Sequence, residues 1–285
     1  METSATANRL TKRFVAGRAI EQEIEVIERL NREGTLATVD YLGEGVKSQE
    51  EAEKTRDAYL GILERVARLG VGATLSIKLT QFGLGISPEV CKENVDPLVA
   101  KAKELGTSVE IDMEQSDYVD PTLEIVGQMH AHYGSVRAVI QAYLRRSEKD
   151  IGCLNRKRIP IRLCKGAFKE PAEVAFQKKS EVDANYVRLV NMMLAGGTYP
   201  AIATHDEKMV KEALGTMKAQ SIAPDRVEFQ MLYGIRRDLQ RRLVADGYRL
   251  RLYVPFGEAW YPYFMRRLAE RPANLMFLVR NFFRR

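Results

Sequence analysis

The feature of this sequence that most restricts its fold is an eightfold alternation of short β-rich runs with longer helix-like runs. The β-rich runs cover residues 36–42, 74–79, 108–113, 138–143, 159–164, 201–204, 227–232 and 250–254. Stretches with helical periodicity follow them, at 48–69, 88–105, 120–133, 146–154, 181–195, 206–220, 236–246 and 258–270. Strands that alternate with helices run parallel and are joined by right-handed crossovers. Together with the length of 285 residues, this pattern predicts an α/β fold of the (βα)8 TIM-like barrel type, and an open doubly wound sheet is the alternative.

The domain organisation follows from the same pattern. No linker or change in composition divides the chain, so we expect a single barrel domain over residues 34–285. A short N-terminal helical arm over residues 1–33 precedes it, because residues 8–33 have an amphipathic pattern. The apolar face of this arm consists of Ile20, Ile24, Ile27 and Leu30.

Composition excludes several classes of protein. The net charge of +6 comes from 44 basic and 38 acidic residues dispersed along the chain, so we expect no nucleic-acid partner. The three cysteines are far apart and lack metal-binding spacing, which indicates a reducing compartment, no disulfide framework and no metal site. No run of eighteen apolar residues and no signal peptide is found. We therefore expect a cytoplasmic protein.

Polar residues follow or end nearly every predicted strand. In a (βα)8 barrel the active site lies at the C-terminal ends of the strands. The candidates there are Glu44, Lys78, Asp112, Gln141, Arg162, Lys165, Thr204, His205, Gln230 and Tyr253. Gly166 and Ala167 follow Lys165, and a glycine lets a ligand approach the backbone closely. The set predicts a site for a large polar ligand, although no Rossmann or P-loop glycine motif is present.

The last predicted helix carries a cationic group. Tyr263, Arg266, Arg267 and Glu270 are three or four positions apart and therefore share one face. Two adjacent guanidinium groups are suited to bidentate capture of a carboxylate or phosphate. A solvated basic face is the alternative, but a helix at the mouth of a barrel favours ligand binding.

One motif per strand gives this chain a resemblance to a known family. The motifs are S-I-K-L-T from Ser76, I-D-M-E from Ile111, Q-A-Y-L from Gln141, R-L-C-K-G-A from Arg162, A-T-H-D from Ala203, F-Q-M-L-Y-G from Phe229, Y-V-P-F-G from Tyr253 and Y-F-M-R-R-L-A-E from Tyr263. In this order they resemble the bacterial monofunctional proline dehydrogenases. The resemblance implies a distorted barrel with the eighth helix over its mouth and FAD bound non-covalently across the strand ends. It also implies oxidation of L-proline to Δ1-pyrroline-5-carboxylate, with a membrane quinone as electron acceptor.

The resemblance further implies roles for individual residues. Arg266, Arg267 and Lys78 would hold the proline carboxylate. Leu232 and Tyr253 would pack on the pyrrolidine ring, and Tyr263 would complete the substrate site. Arg162 would approach flavin N5, and Asp112 would orient Lys78, so Lys78, Asp112 and Arg162 are the predicted catalytic residues. The remaining cofactor-lining residues would be Met113, Gln141, Lys165, Gly166, Ala167, Thr204, His205 and Gln230.

Three further expectations concern the charge and the edges of this site. A site crowded with cations would favour the deprotonated amine of proline. Glu44 matches a family position that pairs with Arg266 to close a lid over the substrate. The apolar and basic tail at 275–285 is interpreted either as packing against the barrel or as a peripheral contact with the inner face of the cytoplasmic membrane. A barrel that binds a phosphorylated or carboxylated metabolite without flavin is the alternative function.

Overall fold

A closed barrel of eight parallel strands forms the centre of the molecule. The computed structural model describes residues 13–43 and 45–269, apart from the side chains of 266–269. The strands are β1 Leu36–Tyr41, β2 Ala73–Lys78, β3 Val109–Asp112, β4 Val136–Gln141, β5 Ile161–Cys164, β6 Ala201–Ala203, β7 Glu228–Leu232 and β8 Arg249–Phe256. They follow one another around the barrel in sequence order, and β8 pairs with β1. The predicted barrel is confirmed, and the open sheet is excluded.

Helices separate the strands, as the sequence predicts. They are α1 Ile20–Arg32, α2 Gln49–Arg68, α3 Pro88–Glu104, α4 Val119–Tyr133, α5 Ser147–Arg156, α6 Lys179–Gly196, α7 Glu207–Ala219, α8 Arg237–Ala245 and α9 Trp260–Ala269. Local chemistry sets several of their ends. The Ser87 hydroxyl, for example, accepts a hydrogen bond from the Val90 N–H at 3.2 Å, and Pro88 occupies the first turn of α3.

Apolar and polar residues alternate along the strands and therefore point to opposite faces of the barrel wall. In β2, Leu75 and Ile77 are fully buried in the hydrophobic core that the strands share with the surrounding helices. Ser76 and Lys78 alternate with them and bond to side chains of β1, β3 and β5. Because successive strand residues point to opposite faces, the hydrophobic core lies outside the barrel and the polar residues lie inside it.

Part of the predicted N-terminal arm, residues 1–12, lies outside the described residues, and the described part is helical only from Ile20 onward. Residues 13–19 are not helical, because their backbone pairs with the end of β8. The Ala16 N–H donates to the Pro255 carbonyl at 2.9 Å, and the Gly17 carbonyl accepts from the Gly257 N–H at 3.0 Å. From Ile20 onward α1 packs on β1 and β8, on the outside of the barrel.

The last helix lies at the mouth of the barrel, as expected for the distorted fold. Tyr263 and Phe264 of α9 form an apolar cluster with Phe14 and Val15, and with Leu42 and Ile235 from the segments that follow β1 and β7. The outer position between β8 and β1 is taken by α1. Among the helices in the described part of the chain, none is long and apolar enough to cross a membrane.

Candidate active site

Five side chains meet where β1, β2, β3, β5 and β8 converge at the mouth. We call this set the mouth cluster: Asp40, Lys78, Asp112, Arg162 and Tyr253. The Lys78 ammonium lies 2.9 Å from Asp40 Oδ1, 3.5 Å from Asp112 Oδ2 and 3.3 Å from the Tyr253 hydroxyl. The Tyr253 hydroxyl donates to Asp112 Oδ2 at 2.8 Å. The structure therefore brings together Lys78, Asp112 and Tyr253, for which the sequence predicts neighbouring roles.

Arg162 is fixed from two sides. Its Nη2 donates to Asp112 Oδ1 and, at 3.1 Å, to the Ser76 hydroxyl. Its Nη1 donates to Glu110 Oε2 at 3.1 Å, and its guanidinium carbon lies 5.4 Å from the centre of the Tyr253 ring. A buried guanidinium with partners on both terminal nitrogens has a single orientation.

Burial and neighbouring charge set the protonation of the cluster. Burial disfavours the charged form of Lys78, but attraction to Asp40 and then Asp112 outweighs burial and raises the pKa of Lys78 above its ordinary value. For Tyr253, burial and the nearby carboxylates Asp112 and Asp40 raise the pKa well above its usual range. At neutral pH the site therefore holds an ammonium, a guanidinium and a neutral phenol that donates a hydrogen bond.

Asp40 was missed by the sequence analysis. Its side chain is only 1% exposed, and its carboxylate lies closer to the Lys78 ammonium than that of Asp112 does. Asp112 was predicted to orient Lys78, and in the structure Asp40 shares that contact. The signal that could have found it is the one charged residue in β1, because strands buried on both faces are normally apolar throughout.

A second set of charges lies deeper in the barrel and was also missed. We call it the interior network: Glu110, Arg137, Glu228 and Arg251. Arg137 Nη1 lies 3.3 Å from Glu110 Oε1 and 3.0 Å from Glu228 Oε1. Arg251 Nε lies 2.9 Å from Glu228 Oε1. Both glutamates are fully buried, and each is held by arginine.

The inside of the barrel is electrically balanced, which corrects one expectation. The cations of the two sets are Lys78, Arg137, Arg162 and Arg251, and the anions are Asp40, Asp112, Glu110 and Glu228. Lys78 and Arg162 are each paired with two carboxylates. A site crowded with cations was expected to favour the deprotonated proline amine; Lys78 and Arg162 do not carry that argument because carboxylates pair with them, and for Arg266 and Arg267 it stays a prediction.

Gln141, the predicted cofactor-lining residue at the end of β4, and Tyr143 after it have unused hydrogen-bonding capacity. The Gln141 amide nitrogen donates to the Met113 carbonyl at 3.1 Å. The Gln141 amide oxygen is buried without a hydrogen-bond partner among the described residues, and the buried Tyr143 hydroxyl, which lies near the Phe168 backbone, donates to none of them. Burial raises the pKa of Tyr143 to about 12, so its hydroxyl remains a donor. A polar ligand would satisfy both atoms.

The segment after β5 is organised differently from the expectation. Lys165 is paired with two carboxylates, Asp183 of α6 and, at 2.9 Å, Asp206. Gly166 has a φ of 115°, and a Cβ there would lie 2.1 Å from the Tyr143 ring. The close approach that requires glycine is therefore made by the Tyr143 ring. Ala167 is exposed next to it.

The residues predicted on β6 and β7 bond to one another and to the network. His205 Nε2 accepts from the Leu232 N–H at 2.8 Å, and the Thr204 hydroxyl accepts from the Asp206 N–H at 3.1 Å. Gln230 points inward, and its amide nitrogen lies 3.2 Å from Glu110 Oε2. Leu232 pairs in register with Tyr253 and packs against the cluster that contains Tyr263.

Several predictions concern positions outside the described residues. These are Glu44, Glu270, the tail at 275–285 and the side chains of Arg266 and Arg267. The backbone of both arginines belongs to α9, the helix at the mouth. The roles of Arg266 and Arg267 in holding the proline carboxylate, and the lid pair of Glu44 and Arg266, stay predictions.

Two loops of the mouth are joined by a contact that the sequence did not reveal. The Glu170 carboxylate, after β5, accepts from the Ser116 N–H at 2.7 Å and from the Ser116 hydroxyl at 2.6 Å. Ser116 follows β3, so this clasp joins segments that carry predicted cofactor-lining residues.

Comparison with known proteins identifies the family. The family model described as proline dehydrogenase matches residues 23–280. Proline dehydrogenase 1 of Bacillus subtilis subsp. natto is 40% identical over 269 residues, which cover 94% of this chain and 89% of the relative. Proline dehydrogenase of Deinococcus radiodurans is 42% identical over 277 residues, which cover 95% and 89%.

A solved structure is also similar. It is proline utilization A from Bdellovibrio bacteriovorus inactivated by N-propargylglycine, with a TM-score of 0.85 and 26% identity. The match covers 91% of this chain and 32% of that longer chain. The sequence motifs, the barrel and these matches agree, and the chain belongs to the proline dehydrogenase family.

Proposed function

We propose that this chain is a proline dehydrogenase that carries out the first step of proline catabolism, oxidising L-proline to Δ1-pyrroline-5-carboxylate. Its electron acceptor is FAD, which passes the electrons to a membrane quinone. The observation that carries the proposal is the mouth cluster. Asp112 there contacts Lys78, Tyr253 and Arg162 at once, in a chain that belongs to this family.

The described residues fit a flavin nucleotide in two respects. The buried Gln141 amide oxygen and Tyr143 hydroxyl offer an acceptor and a donor that no described residue uses. Arg162 and Lys165, each held by two carboxylates, supply hydrogen-bond donors in β5 and the segment after it. Met113, Gly166, Ala167, Thr204, His205 and Gln230 would complete the cofactor site. When bound, FAD supplies a two-electron acceptor for the hydride of proline C5.

The chain's own residues bind and orient the substrate. Arg266, Arg267 and the Lys78 ammonium hold the carboxylate by charge-assisted hydrogen bonds. Leu232 and Tyr253, neighbours in register, pack on the pyrrolidine ring, and Tyr263 packs beside Leu232. Hydride loss from C5 forms the C=N bond and requires the lone pair of the proline nitrogen.

The predicted catalytic residues Lys78, Asp112 and Arg162 fix the position of charge in the site. Asp112 fixes both Lys78 and Arg162, so neither cation swings away when a ligand enters. Arg162 presents positive charge where negative charge develops on the acceptor, without reorganisation during the reaction. Because carboxylates offset the charge of these cations, Lys78 and Arg162 do not drive deprotonation of the proline amine. The deprotonated amine then comes from the substrate's own equilibrium or from groups outside the mouth cluster.

The deciding experiment is spectroscopic. Purified protein reconstituted with FAD should show flavin absorbance that L-proline bleaches in the absence of oxygen. D-Proline is the matched control. A protein that takes up no FAD, or whose flavin L-proline leaves oxidised, would favour the alternative barrel that binds a phosphorylated or carboxylated metabolite without flavin.

The lid proposal has its own test. If Glu44 pairs with Arg266 to close the site, Glu44→Ala should raise KM for proline more than it lowers kcat, because closure supports binding. Glu64→Ala, an exposed position on α2, is the control. An unchanged KM in Glu44→Ala would remove the lid pair.

Delivery of electrons to quinone implies a contact with the lipid surface, for which we propose the tail at 275–285. Removal of residues 277–285 should then weaken co-sedimentation with anionic liposomes. Equal binding by the shortened chain, with its fold intact, and the full chain would rule out the tail as the membrane contact.

A further inference from the structure

Glu110 lies inside the barrel, behind Arg162, and belongs to the interior network rather than to the mouth cluster. It belongs to β3, two residues before Asp112, and is fully buried. Its two oxygens lie within hydrogen-bond distance of five side-chain groups. These donors are Arg162 Nη1 at 3.1 Å, Arg137 Nη1 at 3.3 Å, Gln230 Nε2 at 3.2 Å, Thr74 Oγ1 at 3.0 Å and Thr38 Oγ1 at 3.2 Å.

These donors keep Glu110 ionised in spite of its burial. Burial alone would raise its pKa, but attraction to Arg137, Arg162 and Arg251 and the bond from Gln230 lower the pKa of Glu110 to about 2. Glu110 is therefore a permanent negative charge enclosed in the barrel.

The geometry makes Glu110 the inner partner of Arg162. One terminal nitrogen of the guanidinium, Nη1, faces Glu110, and the other, Nη2, faces Asp112 at the mouth. Glu228, the other glutamate of the interior network, contacts Arg137 and Arg251 but makes no ion pair with Arg162. Of these two buried anions, Glu110 is the one that acts directly on Arg162.

We propose that Glu110 is a positioning residue for Arg162. It holds the guanidinium in one orientation and offsets part of its positive charge, and so it sets how strongly the mouth stabilises negative charge on the cofactor. The inference rests on the proposed flavin-dependent function. It extends the site inward, from the residues that touch ligands to a carboxylate that acts on them through Arg162.

The test compares the midpoint potential of bound flavin in three variants with that of the unchanged holoenzyme. Glu110→Gln removes the charge and keeps the shape. Glu110→Asp keeps the charge but moves it away from Nη1. Glu228→Gln is the matched control, because it removes a fully buried glutamate charge from the same network without touching Arg162.

When less of the positive charge of Arg162 is offset, the reduced, negatively charged cofactor is favoured. Glu110→Gln should therefore raise the midpoint potential of the bound flavin. We expect about a tenfold change in the reduction equilibrium, which for two electrons is about 30 mV. Glu110→Asp should shift it less in the same direction, and Glu228→Gln should shift it least.

The outcomes separate this inference from the proposed function. Failure of L-proline to bleach the unchanged holoenzyme would count against the function itself. With bleaching intact, equal potentials in Glu110→Gln and Glu228→Gln would overturn the role of Glu110. If Glu110→Gln retains no flavin, Glu110→Asp decides: a potential equal to that of the unchanged enzyme overturns the proposal, and a positive shift supports it.

Discussion

The mouth cluster and the interior network contain the same charges in different surroundings. Each has two cations and two carboxylates: Lys78, Arg162, Asp40 and Asp112 at the mouth, and Arg137, Arg251, Glu110 and Glu228 inside. Inside, the glutamate side chains are 0% exposed, whereas at the mouth Lys78 is 28% and Asp112 is 15% exposed. Glu110 and Glu228 are enclosed with their arginine partners, which for Glu110 include Arg162 of the mouth cluster, whereas the partly exposed Lys78 and Asp112 can also exchange partners with a ligand.

The difference in exposure determines whether a substitution mainly lowers the stability of the fold or the activity of the site. Removal of one partner from an enclosed ion pair leaves an uncompensated charge that water does not reach, and the folded state bears the cost. Removal of a partner of Lys78 leaves a charge that is 28% exposed and that water partly solvates, so the main loss there is orientation of the reacting groups. Substitutions of the buried glutamates of the interior network should therefore mainly lower stability, and substitutions around Lys78 in the mouth cluster should mainly lower activity.

The largest expected effect is on folding. Glu228→Ala leaves Arg137 and Arg251 without the carboxylate that lies 3.0 and 2.9 Å away. We expect the free energy of unfolding to fall by about 3–5 kcal/mol. Urea denaturation measures it, with Glu212→Ala, exposed on α7, as a control that should stay within about 0.5 kcal/mol. A loss below about 1 kcal/mol would mean that water enters the interior network, and the comparison would fail.

The next effect is on catalysis. Asp112→Asn keeps the size of the side chain but removes the charge that holds Lys78 and Arg162. We expect kcat/KM for proline to fall on the order of a hundredfold, the scale of losing one preorganised polar group, with little loss of stability. Steady-state kinetics and thermal melting measure the two quantities. Asp120→Asn, which breaks an exposed ion pair with Arg146, is the control, and equal kcat/KM in both variants would refute the role of Asp112.

The fold was readable from the sequence because its signals are local. Alternating apolar runs located all eight strands, and a serine followed by proline located the start of α3 at Pro88. The start of α1 was misplaced because a non-local contact decides it. Residues 13–19 pair with the end of β8, about 240 positions away in sequence, and no pattern within that segment reveals the pairing.

The site was readable mainly at the strand ends, and the roles of Arg162 and Tyr253, which lie within their strands, came from the family motifs. Lys78, Asp112 and Leu232 are the last residues of their strands, where (βα)8 topology places function. Asp40, Glu110 and Glu228 lie within strands or at their beginning. Their alternation with apolar neighbours indicates that they face inward, but which cation each one meets depends on how the barrel closes.

The two carboxylates that contact Lys78 can be distinguished by pH, since Asp40 raises the pKa of Lys78 more than Asp112 does. A lysine whose pKa is raised in the folded state contributes full stability below its unfolded pKa of about 10.4, and the contribution is lost as pH rises through the folded value. Asp40→Asn lowers that folded value. We expect KM for proline to begin its alkaline rise at lower pH than in the unchanged enzyme.

The matched variant for this pH profile is Asp112→Asn. The Asp112 carboxylate lies 3.5 Å from the Lys78 ammonium, whereas the Asp40 carboxylate lies 2.9 Å from it. It should move the alkaline limb less than Asp40→Asn does. The reverse order would show that Asp112, and not Asp40, is the main partner of Lys78 when substrate is bound.

The smallest effect belongs to the clasp between Ser116 and Glu170, which joins two loops of the mouth without taking part in either charged set. Ser116→Ala removes the hydroxyl bond of 2.6 Å and leaves the backbone bond of 2.7 Å in place. Because both residues are half-buried, we expect a net loss of about 1 kcal/mol, or roughly fivefold weaker FAD binding, measured by recovery of flavin fluorescence on dilution. Glu170→Gln weakens both bonds and should weaken binding further, whereas Ser180→Ala, exposed on α6, should not change it. If Ser116→Ala leaves FAD binding unchanged but Glu170→Gln weakens it, the backbone bond alone joins the loops.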